Sequence, residues 1–162
     1  MIIRKATASD FTSIWPFFEE IARAGDTYGY DPAITADEAH RLWIEVPEVT
    51  FVAEGDGEVL GSYYLKPNHQ GPGRHVCNCG YMVASAARGR GVATALCEHS
   101  QEMARLRGYR AMQFNFVASS NVGAVRLWTR LGFETVGRLP KAFDHPEQGL
   151  VDALVMYKWL GE

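Results

Sequence analysis

The sequence predicts a mixed α/β fold: a central twisted sheet of about seven strands with helices on both faces. Three observations carry this expectation. Strand-like and helix-like apolar periods alternate along the chain in the order β-α-α-β-β-β-α-β-α-β-β. The middle strands follow one another without a helix, which implies hairpins. The later strands are separated by helices, which implies crossovers between neighbouring strands. No repeat, low-complexity tract or linker interrupts the pattern, and 162 residues suit a single domain over residues 1–162.

Each element has a local reason. "MIIRKA" reads as a first strand. Thr7 or Ser9 then caps a helix running to about Ala24, with Thr7 and Asp10 at capping-box spacing. Ile14, Phe17, Phe18 and Ile21 give it an apolar stripe. Pro16 lies inside, so a kink or a late true start is expected. "AGDTYGYDPAI", Ala24 to Ile34, is a loop. Thr35 and Glu38 form a second capping box, opening a helix that ends before Pro47. "VTFVAE" and "GEVLGSYYLK" are strands joined by a Gly-Asp-Gly hairpin turn.

"GPGR" is another turn, and "HVCNCGYMVAS" is a fourth strand. A helix from Arg90 to Arg107 stops at Gly108. "YRAMQFNFVA" is a fifth strand. Ser119 or Ser120 caps a helix from about Asn121 to Leu131, stopped by Gly132. "FETVGRL" and "LVDALVMYKWL" are the last two strands. "KAFDHPEQGLVD", Lys141 to Asp152, reads as their connection, with Pro146 and Gly149 shaping a turn.

Composition narrows the function classes. With 47% hydrophobic and 22% charged residues, the chain reads as a soluble globular protein. A formal net charge of -3 gives no bulk electrostatic case for a nucleic-acid partner. No apolar run reaches the roughly 20 residues of a membrane span. The N-terminus lacks a signal-peptide h-region, so a cytoplasmic location is expected. Three cysteines do not make a disulfide framework, which agrees with a reducing compartment.

The stretch "RGRGVATAL", Arg88 to Leu96, places two glycines and two arginines directly before a helix. A helix start has four unpartnered N–H groups and about half a positive charge, so it is an anion site. Glycines permit close approach, and Arg88 and Arg90 match phosphate geometry. The nucleotide P-loop is excluded, because lysine is absent and the spacing is wrong. The dinucleotide fingerprint is excluded because Gly89-Arg90-Gly91 is followed by Val92-Ala93-Thr94, with no third glycine. A turn with no ligand remains the plain alternative. His75, Cys77 and Cys79 alternate along one strand face, but a fourth ligand and C-x₂-C spacing are missing; inert buried thiols are expected, and no metal.

Arg88, Gly91 and Ala93 fit the pattern [Q/R]-x-x-G-x-[G/A], and here the chain resembles the GNAT superfamily of N-acetyltransferases. "GYMVASAARGRGVATAL" is similar to that family's fourth strand, pyrophosphate loop and third helix. "NVGAVRLWTRLGFETVG" is similar to its fourth helix and sixth strand. The element order is the family's order.

The resemblance implies acetyl-CoA as co-substrate and an amine as acceptor. It places the diphosphate on Gly89, Arg90, Gly91, Val92, Ala93 and Thr94, and the pantetheine arm along Tyr81, Met82 and Val83 as an added strand. A bulge would splay the fourth and fifth strands, and an N–H near Met82 or Val83 would hold the thioester oxyanion. Asn121 matches a pantetheine contact, and it is also placed to cap its helix. Relatives often carry a general-acid tyrosine where this chain has Trp128, which cannot donate a proton usefully; Trp128 is expected to pack beside the cofactor. Tyr81 and Cys79 are the proton-relay candidates in its stead. Asn115 either holds a water for such a relay or is a hydrogen-bonded core asparagine.

Tyr28 and Tyr30 lie in the loop that often covers the acceptor in this family. Phe143 and His145, with Asp144 and Glu147, lie where relatives often read it. The acceptor implied is a primary amine of a small molecule, such as an amino acid or its analogue. A peptide or protein N-terminus or lysine is the alternative, and a non-catalytic acyl-CoA sensor the rival of another class. Dimers are common in such relatives, so a homodimer is compatible with the sequence.

Overall fold

A computed structural model describes residues 1–161. Seven strands form one sheet: β1 (Ile2–Lys5), β2 (Val49–Gly55), β3 (Glu58–Pro67), β4 (Val76–Val83), β5 (Ala111–Ala118), β6 (Glu134–His145) and β7 (Gly149–Trp159). Four helices complete the fold: α1 (Phe11–Ala24), α2 (Ala36–His40), α3 (Val92–Leu106) and α4 (Val122–Arg130). The strand order is β1-β2-β3-β4-β5-β7-β6. Only β4 and β5 run parallel; every other neighbouring pair is antiparallel. The mixed sheet and the element order agree with the sequence-based expectation.

The two faces of the sheet carry different cores. Ile14, Phe18, Ile21 and Trp43 pack with Val52, Tyr64 and Met82 on the α1–α2 face. Val92, Leu96, Cys97 and Ala104 of α3 pack with Tyr63, Leu65, Cys77, Cys79 and Tyr81 on the other, joined by Trp128 of α4. The period-two alternation of a strand sets this division. From Gly61 onward in β3 and throughout β4, odd-numbered side chains therefore face α3 and even-numbered ones face α1; before the bulge opposite Ala53 and Glu54 the faces reverse, with Leu60 on the α3 side and Val59 on the other.

Several local expectations are corrected. A short 3-10 turn, Ala8–Asp10, precedes α1, so the late true start is the observed one; the helix runs through Pro16. Asp10 closes the capping box by accepting the Thr7 amide at 2.6 Å. The second helix is α-helical only to His40, followed by a wider turn at Arg41–Glu45. There the Val46 amide reaches the Arg41 carbonyl at 2.9 Å. α4 is capped by Asn121, whose side chain accepts from the Ala124 amide, and not by Ser119 or Ser120. The Lys141–Asp152 segment is mostly strand rather than loop, because β6 continues to His145 and β7 begins at Gly149. A bulge between Leu139 and Phe143 absorbs the extra residues. Lys141 there adopts φ 53, and Asp152 takes both its amide and the Arg138 guanidinium.

Candidate active site

β4 and β5 pair only at Val76↔Ala111 and Cys77↔Met112. Beyond those residues no further pairing joins them, and the strands part. The register shift that accompanies this lies in β5, between Phe114 and Val117 against β7, while β4 stays in regular register with β3. The expected bulge therefore belongs to the fifth strand. A cavity of about 920 Å³ fills the parting.

Chain geometry decides which backbone groups of β4 face this cleft. The Tyr81 amide donates to the Tyr28 hydroxyl at 2.7 Å, and that hydroxyl donates to the Tyr81 carbonyl. Tyr81 thus turns both polar groups away from β3. By the two-residue period of a ladder, Cys79 and Val83 present theirs on the same side, whereas Met82 pairs with Ser62 of β3. Of the two expected oxyanion donors, the Val83 amide points into the cleft and the Met82 amide does not.

The glycine stretch sits at one end of the cavity. Gly89 and Gly91 have φ 74 and φ 77, and a Cβ at either would meet nothing within 4 Å. Gly91 is the N-cap of α3, so the stretch delivers an open backbone to the helix's unpartnered amides. Arg88, Gly89 and Ala93 line the cavity together with Asn121 and Trp128. Arg90, Gly91, Val92 and Thr94 lie beside it in the chain but are not part of its wall, and Val92 is buried.

The proton-relay candidates fare differently. Tyr81 and Cys79 form part of the wall, yet their side chains enter the α3-side core. The Tyr81 phenol is tied to Ser100 Oγ at 2.6 Å and lies 3.5 Å from Met112 Sδ. Burial pushes the pKa values of Tyr81 and Cys79 well above the ordinary ones. A phenol bonded into the core and a buried thiol do not make a solvent relay. Asn115 is exposed on β5 rather than in the core; it accepts from Gln113 at 2.9 Å and donates to Asn68 at 2.7 Å.

Trp128 packs on Tyr81 and Phe114, with ring centroids 5.1 and 5.2 Å away. Tyr28 stacks on Tyr30 at 5.6 Å, and both line the cavity on its α1 side. Burial raises the Tyr28 pKa well above the ordinary phenol value and pushes Tyr30 up to about 12. Gly29 between them lies against β5, where a Cβ would sit 3.1 Å from the Phe116 ring and that ring would have to shift. The loop thus touches both parted strands. Phe143 is buried against Phe116 at 5.8 Å, behind the cavity wall. His145 lies outside the cavity and caps the β6–β7 turn, its Nδ1 accepting the Glu147 and Gln148 amides at 3.1 Å. Sequence reasoning missed Lys66 and Asn78, which line the cavity from β3 and β4. Their only signal was polarity within apolar strands.

A parallel strand pair that parts beside a glycine-opened helix start is the arrangement the sequence led us to expect of an acetyltransferase, and known proteins share it. The acetyltransferase (GNAT) family model matches residues 11–133. The chain is 46% identical to a GCN5-related N-acetyltransferase from Kribbella flavida, with a TM-score of 0.93 over 98% of this chain and 96% of that one. It is 28% identical over 148 residues to the N-acetyltransferase aca1 of Schizosaccharomyces pombe, covering 81% of this chain and 71% of that protein. The fold is also that of a phosphinothricin acetyltransferase from Sinorhizobium meliloti, solved in complex with AcCoA: 22% identity, TM-score 0.87, 99% of this chain and 89% of that one. This chain belongs to the acetyltransferase (GNAT) family.

Proposed function

We propose that the chain moves the acetyl group of acetyl-CoA directly to the primary amine of a small molecule. The observation that carries this reading is the cavity passing between β4 and β5, with Arg88 and Gly89 at one end and Tyr28, Tyr30 and Tyr64 at the other. The first end suits a diphosphate: α3 is 15 residues long, its opening amides are unpartnered, and the glycines leave them accessible. The Sinorhizobium enzyme, solved with AcCoA, lends the same fold to this choice of co-substrate.

The middle of the cleft suits a thioester. The arm of the co-substrate docks along the β4 edge that β5 leaves, taking over from the Tyr28 hydroxyl at Tyr81, as an added strand. The Val83 amide then meets the carbonyl oxygen, where one such donor contributes about 2.7–4 kcal/mol of transition-state stabilisation. The acceptor enters as a neutral amine from the tyrosine-lined side. Attack on the carbonyl carbon forms the carbon–nitrogen bond and breaks the carbon–sulfur bond; the proton that the attacking nitrogen gives up passes through solvent to the leaving thiolate, which departs as the thiol. Trp128 supplies no acid, so placement of amine against thioester carries most of the acceleration.

The same tryptophan favours one rival, a module that binds acyl-CoA without turnover. Thiol release from acetyl-CoA over a panel of amines, with co-substrate binding measured separately, separates the two. Release with small amines is the expected result. Binding without release for any amine overturns the enzymatic reading, and release with peptides alone overturns the small-molecule acceptor.

A further inference from the structure

Lys66 is a cation of the cavity wall away from the glycine stretch. It lies on β3, half-buried, and lines the cavity wall. No ion pair among the described residues includes it. Its Nζ lies 5.2 Å from the centre of the Tyr64 ring. The aromatic face attracts the cation but does not neutralise it. An ammonium without a carboxylate partner, on a half-buried lysine that lines a cavity, gains from an anion arriving with the ligand.

The surroundings add hydrogen-bond donors and hold them in place. Lys66 and Asn78 are directly opposed across β3 and β4, so their side chains share the α1 face. Asn78 is locked: its Oδ1 accepts from Tyr64 at 2.9 Å, and its Nδ2 donates to the Gln113 carbonyl at 2.9 Å. Asn115 lines the same cavity with one amide hydrogen given to Asn68. An asparagine amide has two, so one donor is left for a ligand. The cation and the remaining amide hydrogens of Asn115 and Asn78 are donors available to an anion in this cavity.

Building on the reading above, we propose that the acceptor amine carries a carboxylate, which Lys66 and Asn115 bind. One ammonium and one neutral amide match a singly charged carboxylate; a doubly charged phosphoryl group suits a guanidinium cluster better. Glu20 and Asp26 also border the cavity, but both are exposed. Their charges draw a zwitterion toward the mouth and are screened there by solvent. The reacting nitrogen must be neutral, so it sits away from them, beside the uncharged Tyr81–Val83 edge.

The experiment uses the full chain and matched acceptor sets: free amino acids, their carboxamides, their decarboxylated amines and aminophosphonate analogues. Wild type is expected to favour the free acid over its carboxamide in kcat/KM by about ten-fold or more, the range of a hydrogen bond to a charged group. Lys66→Met keeps the stem on Tyr64 and removes the charge. It should raise KM for the free acid about ten-fold, raise it far less for the carboxamide, and leave acetyl-CoA affinity unchanged. Lys66→Arg should restore most of the preference. Equal turnover of acid and carboxamide by wild type overturns the proposal, as does an equal loss on both in Lys66→Met or a preference for the phosphonates. Those results leave the acetyltransferase reading standing. Thiol release from no acceptor at all, with acetyl-CoA still bound, overturns both.

Discussion

Tyr28 is where a single side chain most affects the cleft. Its hydroxyl accepts from the Tyr81 amide and donates to the Tyr81 carbonyl, taking the place that β5 vacates. Burial among Tyr30 and the strand keeps the phenol neutral, so it acts as a hydrogen-bond partner and not as a base. Tyr28→Phe strands two backbone polar groups, at about 1–3 kcal/mol for a lost buried partner. For a chain of this size that lowers the melting temperature by roughly 2–4 °C per kcal/mol. Acetyl-CoA brings amides of its own to that edge. The loss is therefore expected to shrink at saturating acetyl-CoA, read by thermal melts of both proteins with and without it; an undiminished loss would mean that the hydroxyl keeps its place in the complex. The family resemblance marked Tyr28 and Tyr30 in the sequence, but a partner 53 residues away leaves no local pattern. Lys66 and Asn78 were obscured for the same reason: strand periodicity fixes a face, whereas the gap that opens that face is a relation between two strands.

Among the elements, the head of α3 and the start of α1 carry separate predictions. Gly91 and Gly108 bracket α3, both in the left-handed region at φ 77 and φ 85 with open space around them. A valine at either costs about 1–2 kcal/mol in backbone strain. Only the first would enter the anion cradle. Gly91→Val and Gly108→Val should thus melt at similar temperatures, while acetyl-CoA affinity falls about ten-fold or more in the first alone. Calorimetric titration of both variants checks this. The glycine–arginine run was legible because glycine's freedom is a property of the residue itself. At the other site, Asp10 ties the start of α1 to β1, accepting from Arg4 at 2.9 Å through each oxygen. The Arg4 hydrogen bonds, opposed by burial, hold its pKa at about 2. A folded pKa below the ordinary carboxylate value of about 3.9 contributes stability that is complete above that pH and disappears as pH falls toward 2. Asp10→Asn should melt below wild type at neutral pH, with the gap closing between about pH 4 and pH 2; a gap independent of pH would remove the ion pair from the account.

At the scale of the whole molecule, the sheet order follows from features the chain states locally. Asp56 and Gly57 both take positive φ, as a tight hairpin turn demands, and the glycine stops at Gly108 and Gly132 end α3 and α4 where expected. The β6–β7 hairpin was read too short because Pro146 and Gly149 announce a turn without saying how far the strands on either side extend. What no local feature states is that β4 and β5 separate after Cys77 and Met112. That separation leaves β4 with an unpaired edge inside the molecule, a costly arrangement unless something docks there. Amide exchange tests it directly. In the free protein the Tyr81 amide is protected by Tyr28, whereas Val83, two residues on and facing the same cleft, has no strand across from it and exchanges fast. Docking of acetyl-CoA as an added strand should slow Val83 by the stability of the complex and leave Met82, already paired with β3, unchanged. Slow exchange at Val83 before any ligand is added would show the cleft closed, and with it the route from the α3 amides to the acceptor side.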